Sequence, residues 1–170
     1  MSTLNVTTIQ DSAAAFEHAR LVQVQSVTKT TVFTFTATSF TDVTGLTQAI
    51  TPTNSANKIL VFFSTNTSSD GNRVMTSLVR GSTHIYVGDA SGSNRVRASG
   101  FGYDSSDGSA TSEMVSGVFV DSPNTTSETT YKIQVQVNAG NGAVNATQLN
   151  NDNTYMPLLP STITLMEIRT

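Results

Sequence analysis

Tyr131-Lys132-Ile133-Gln134-Val135-Gln136-Val137-Asn138 is the stretch on which the fold turns. Ile133, Val135 and Val137 recur at every second position, with Lys132, Gln134, Gln136 and Asn138 between them. Successive side chains of an extended strand point to opposite faces, so this spacing collects the aliphatic groups on one face and the polar groups on the other. A helix would scatter them around its circumference. Thr31-Val32-Phe33-Thr34-Phe35-Thr36-Ala37-Thr38 repeats the rhythm, with Phe33, Phe35 and Ala37 on one face and threonine on the other. The run from Lys58 to Ser64 differs, because Ile59-Leu60-Val61-Phe62-Phe63 is apolar on both faces. Such a run predicts a central strand covered on both sides.

Outward from these stretches, further strands are predicted at 21–28, 45–51, 73–80, 83–87, 94–99, 112–120, 143–149 and 161–169. Turn formers separate them. Arg80-Gly81-Ser82 has the spacing of a tight hairpin, Asp104-Ser105-Ser106-Asp107-Gly108 reads as a polar loop, and Asp121-Ser122-Pro123-Asn124 and Ala139-Gly140-Asn141-Gly142 break between strands. The Gly-rich pieces Ser91-Gly92-Ser93 and Gly100-Phe101-Gly102 read as loops, since neither has the strand–loop–helix context of a phosphate cradle. Short strands at this density predict an all-β fold, an antiparallel sandwich or barrel.

Composition agrees. The chain has 170 residues, of which 62 are Ser, Thr or Asn, while charged residues make up 12% and apolar residues 37%. Threonine favours strands, and the strong helix formers are not clustered. A net charge of −3 with three lysines and no basic cluster argues against a nucleic-acid binder. No apolar run approaches the roughly 18 residues that span a bilayer, so membrane insertion is not expected. The N-terminus lacks the charged and apolar regions of a secretory signal. Cysteine is absent, which removes disulfides and thiolate chemistry together.

The first twenty residues stand apart from the 21–170 β-domain. Asp11 or Ser12 can cap a short helix over 11–20, with Ala13, Ala14 and Ala15 as strong helix formers and Arg20 at its C-terminal end. A helix this short is marginal alone. It needs a partner, which is either its own domain, copies of itself or another protein.

Candidate chemistry is sparse. His18 and His84 are the only histidines, and neither has zinc-binding spacing. His84 is expected as a solvated or interface residue. Asp104 and Asp107 before Gly108 resemble part of a calcium loop but lack its bidentate glutamate, so a polar turn is the simpler account. No nucleophile elbow is present, and neither metal nor cofactor is expected. Arg73, Arg80, Arg95 and Arg97 form the one local basic grouping, with structural ion pairs as the default expectation.

Several phrases occur together in order. They are Ser2-Thr3-Leu4-Asn5-Val6-Thr7-Thr8-Ile9-Gln10; Ser39-Phe40-Thr41-Asp42-Val43-Thr44-Gly45-Leu46; Asn57-Lys58-Ile59-Leu60-Val61; Leu78-Val79-Arg80-Gly81-Ser82-Thr83; Thr130-Tyr131-Lys132-Ile133-Gln134-Val135; and Ser161-Thr162-Ile163-Thr164-Leu165-Met166-Glu167-Ile168. In this order the chain resembles small virion proteins of tailed phages, especially marine phages of cyanobacteria. The resemblance implies a jelly-roll sandwich of the tumour-necrosis-factor-like kind and a homotrimer. It implies a non-enzymatic protein on the virion surface, made in the bacterial host cytoplasm and bound to other virion proteins of capsid or tail.

The final strand has Ile163 and Leu165 on one face and Met166 and Ile168 on the other, so all four are candidates for packing at a three-fold axis. Leu4, Val6, Ile9, Ala13, Ala14, Ala15 and Phe16 are the candidate anchor to the particle; packing of this arm on its own domain is the competing expectation. The short arm favours a capsid decoration or knob protein over a tail fibre. A receptor- or glycan-binding fibre or spike is the alternative, with loops 100–110 and 150–157 and their Tyr103 and Tyr155 as its site. A hydrolase is disfavoured by the scatter of the 12 acidic residues.

Overall fold

The computed structural model describes residues 21–70, 72–103 and 111–170. The described residues form strands and no helix. In chain order these are β1 (Leu21–Lys29), β2 (Phe33–Phe35), β3 (Thr41–Ile50), β4 (Lys58–Ser69), β5 (Arg73–Arg80), β6 (Thr83–Ile85), β7 (Gly100–Tyr103), β8 (Glu113–Asp121), β9 (Thr129–Val137), β10 (Gly142–Val144) and β11 (Ser161–Ile168). The arm 1–20, its expected helix and its seven candidate anchor residues lie outside the described residues, as does the 104–108 loop.

Two antiparallel sheets result. In the first, the order is β1-β11-β4-β10-β2, and β8 pairs with the other side of β4. In the second, the order is β3-β9-β5, with β6 and β7 end to end along the free side of β5. The inner faces meet as in a β-sandwich. Ile59, Val61, Ile163 and Leu165 of the first sheet and Leu46, Leu78, Ile133 and Val135 of the second are fully buried in one core. Pairs β1·β11, β3·β9, β4·β8 and β5·β7 are nested along the chain, so each inner pair is enclosed by the next.

Sequence and structure part at four places. The strand expected at 94–99 is absent; the chain there is irregular, and the strand is β7, in the Gly-rich piece expected as a loop. Gly100 faces the Val115 side chain so closely that a Cβ would overlap it, and one on Gly102 would lie 2.9 Å from the Glu113 carboxylate. Glycine is what lets this edge strand press against β8. In β3 the register shifts between Asp42 and Thr47, around Gly45 at a φ of +85°. That bulge resets the alternation so that Val43 and Leu46, three apart, both face inward.

The strand expected at 143–149 ends at Val144. Asn145 turns out of it at a φ of +71° with no exposure. Its amide donates to the carbonyls of Lys29 (2.8 Å) and Thr31 (3.2 Å) and accepts from the Ser161 hydroxyl (2.5 Å), so one side chain ties three segments. Finally, β4 is covered on one face only. Ile59, Val61 and Phe63 are buried, whereas Leu60 is half-buried and Phe62 exposed.

Three buried hydroxyls, those of Thr65, Thr76 and Thr147, have no hydrogen-bond partner among the described residues. A buried unpaired hydroxyl costs free energy that an apolar group of the same shape avoids. Thr76 stands on the inner face of β5 beside Val135. Thr76→Val should therefore raise unfolding stability by about 1 kcal/mol, measured by urea denaturation as a higher midpoint at unchanged slope.

Candidate functional site

The outer face of the first sheet is built in rows, because paired residues of neighbouring strands point the same way. One row crosses the sheet as Val24, Met166, Leu60 and Val120, and the next as Ser26, Thr164, Phe62 and Val118. Val24, Phe62, Val118 and Val120 are all exposed. A third row is Thr28, Thr162, Ser64 and Ser116. No charged residue occurs in these rows. The hydroxyls pair across strands, Ser26 with Thr164 at 2.7 Å and Thr28 with Thr162 at 3.2 Å. The face is thus apolar toward one end and, beside it, already internally hydrogen-bonded.

The second sheet has a different outer face. Lys132, Gln134 and Gln136 stand there, and Asp42 accepts from Lys132 Nζ (2.9 Å) and Gln134 Nε2 (2.7 Å). Those bonds, led by that from Lys132, hold the Asp42 carboxyl below its ordinary value. This face suits water around Lys132 and Gln134, whereas the rows through Leu60 and Phe62 do not.

A polar row on the inner side of the first sheet fixes this geometry. It runs Gln23, Glu167, Ile59, Asp121. Glu167 is fully buried and flanked along the chain by outward-facing Met166 and Ile168. It has no cation partner among the described residues. Its carboxylate accepts from Thr53 N (2.7 Å), Thr53 Oγ1 (2.8 Å), Asn57 Nδ2 (2.5 Å) and Gln23 Nε2 (2.6 Å). Burial pushes its pKa up, but the bonds from Asn57, Gln23 and Thr53 together outweigh it and leave the carboxyl below its ordinary value. Asp121 joins the sheets. It accepts from Arg80 Nη1 at 2.7 Å and from the Tyr131 hydroxyl at 2.6 Å. Burial, and then the Asp121 carboxylate, push the Tyr131 phenol above its ordinary range, so it remains a donor.

The residues singled out in the sequence are dispersed. Ile163 and Leu165 are sealed in the protomer's own core, which leaves Met166 and Ile168 as the members of that strand on an outer face. Leu60, Phe62, Val118, Val120 and Val24 complete that face and were not singled out. The signal lay in Val118-Phe119-Val120, a run apolar on both faces like that in β4. His84 packs against the Phe40 ring, with centroids 4.9 Å apart, and its Nδ1 meets the Ser77 hydroxyl at 2.7 Å. Ser77 is fully buried, so this pair presents no accessible nucleophile. Tyr103 lies under the Arg73 guanidinium, whereas Tyr155 is solvent-exposed on a separate loop. Of the four arginines, Arg80 alone forms the expected ion pair among the described residues. No group of three or more His, Asp and Glu among the described residues is placed to hold a metal ion.

The chain matches no family model, and no curated protein is significantly similar to it.

Because folding lowers the Glu167 pKa, its stabilising contribution is present above the ordinary glutamate pKa of about 4.3 and is lost as pH falls through the folded value. Glu167→Gln should lower stability at pH 7 by about 2 kcal/mol, since an amide nitrogen would face donors. It should also flatten the loss of stability between pH 5 and pH 3. Denaturant midpoints across that pH range measure both effects.

Proposed function

We propose that the chain is a non-enzymatic, homotrimeric surface protein of a phage particle, a decoration or knob protein held to the capsid by residues 1–20. The observation that carries the reading is the pair of apolar rows through Leu60 and Phe62 on the outer face of the first sheet, bordered at one end by Lys58 beside Ile168. Contiguous exposed apolar surface marks an interaction site. Those rows carry no charge, so they can meet copies of themselves around a closed axis with no like charges opposed. The face's hydroxyl rows bury cheaply because they are paired within the protomer. The resemblance to phage virion proteins supplies the number three and the location.

The domain is a jelly roll in this proposal. Nested strand pairs that fall first in one sheet, then the other, then back, are what a long hairpin rolled into two layers produces, and the pairing β1·β11, β3·β9, β4·β8, β5·β7 follows that order. With the first sheet turned to the axis, the polar second sheet faces outward. The arm is then free to reach neighbouring virion proteins.

Light scattering after size-exclusion chromatography should give three times the 18.0 kDa chain mass. Phe62→Asp with Val118→Asp should give a folded monomer with an unchanged β-type circular dichroism spectrum, because each buried carboxylate would face its symmetry copies. A wild-type monomer, or a trimer untouched by the double substitution, overturns the trimer. Removal of residues 1–20 should leave the trimer folded and absent from particles. Electron cryomicroscopy of the particle should place the chain on the capsid, and density on the tail alone overturns the decoration reading.

A further inference from the structure

Beside β5 and β7 the irregular segment 86–99 walls an open groove of about 880 Å³, within the usual size range of ligand sites. Arg73, Arg95 and Arg97 line it, three of the six arginines in a chain of net charge −3. A single carboxylate, Asp89, lines it with them. None of the three arginines forms an ion pair with a described residue. The Arg73 guanidinium carbon lies over the Tyr103 ring, 5.0 Å from its centroid. Arg97 is steadied by one bond from Nε to the Gly88 carbonyl (2.6 Å), and its two Nη groups find no acceptor among the described residues. Arg95 makes no hydrogen bond to any described residue. Three guanidinium groups thus share the groove with one carboxylate, and among the described residues their positive charge is only partly offset.

The groove also has an apolar floor. Phe101 is 64% exposed and Val96 50% exposed, and both line it. Neither adds to the core, so their exposure has no packing account. An exposed aromatic face beside planar cation donors matches a molecule with a weakly polar flat face and fixed anionic groups.

We propose that this groove binds an acidic oligosaccharide, with Arg95 and Arg97 pairing its carboxylate or phosphate groups and Phe101 carrying the face of a sugar ring. Guanidinium groups pair with both kinds of oxyanion in bidentate fashion. Nucleic acid fits less well, because the chain is acidic overall and no other described basic residue lines the groove. The inference rests on the groove alone and is independent of the trimer and of the location on a particle.

Titration calorimetry on the purified full-length chain would use a galacturonate trisaccharide, a phosphorylated mannotriose, neutral maltotriose and a single-stranded oligonucleotide. The first two distinguish carboxylate from phosphate as the anion. At least one should bind, with maltotriose weaker by about tenfold or more. Arg95→Gln with Arg97→Gln should weaken binding by about tenfold or more, while Arg169→Gln, a surface cation elsewhere, leaves it unchanged. Phe101→Ser should weaken the anionic saccharide but not inorganic phosphate. Amide shift changes on adding the saccharide should cluster at residues 88–101, and a native spectrum for each variant excludes unfolding as the cause. Equal binding of maltotriose, wild-type affinity in the double arginine variant, binding of the oligonucleotide alone, or no binding by either acidic saccharide overturns the proposal.

Discussion

A two-layer sandwich seals one face of each sheet and leaves the other to its surroundings. In this protein that limit meets strands with apolar residues on both sides. β4 and β8 contribute Ile59, Val61, Phe63 and Val115 to the core, yet Leu60, Phe62, Val118 and Val120 remain on the far side. A strand cannot bury both sets with one partner sheet, and a one-residue slip in register would only exchange them. The first sheet therefore holds more apolar surface than a single protomer can cover. In the second, Lys132, Gln134 and Gln136 fill the corresponding positions of β9, and exposed Phe101 stands apart on the edge strand β7. The asymmetry between the two sheets is a property of the chain itself and requires no ligand to reveal it.

Polar groups inside the sandwich keep that asymmetry in place. Apolar packing alone tolerates sliding, whereas a buried charge must find the same partners every time. Glu167 meets Thr53, Asn57 and Gln23 only in one register of β11 against β1 and β4. Asp121 meets Arg80 and Tyr131 only when β8 lies over β5 and β9. Ile59 stands between these two acids in the same row, so the end of β4 is gripped on both sides. With that end fixed, alternation alone decides which residues of β4, β8 and β11 look outward. The carboxylates thus act on the outer face without touching it.

The sequence showed the strands where alternation is strict and concealed the features made by residues far apart. Ile133, Val135 and Val137 declare their face by spacing, and β9 forms as expected. β7 was hidden because Gly100 and Gly102, which look like loop residues, are there for the close approach of β8. β10 was overestimated because nothing in Asn145-Ala146-Thr147 announces a buried turn held by Lys29, Thr31 and Ser161. Burial of Glu167 was equally hidden, since its three partner residues come from two other segments. The apolar run in β4 was legible, but its cover was not; periodicity tells which residues share a face and not what lies against it. The arginine groove takes Arg73 from β5 and Arg95 and Arg97 from an irregular segment, a meeting set by chain path.

The excess of Ser, Thr and Asn follows from the same division of faces. A surface of hydroxyls and amides is hydrated without carrying charge, and so copies can be brought close with little repulsion. Where two hydroxyls pair across strands, as Ser26 does with Thr164, the surface even gives up part of its need for water. Charged side chains would serve solubility better but would oppose their own copies at a symmetry axis. With 12% charged residues, the chain relies on hydroxyls and amides for much of its hydration. Arg73, Arg95 and Arg97, which form no ion pair among the described residues, go against this economy.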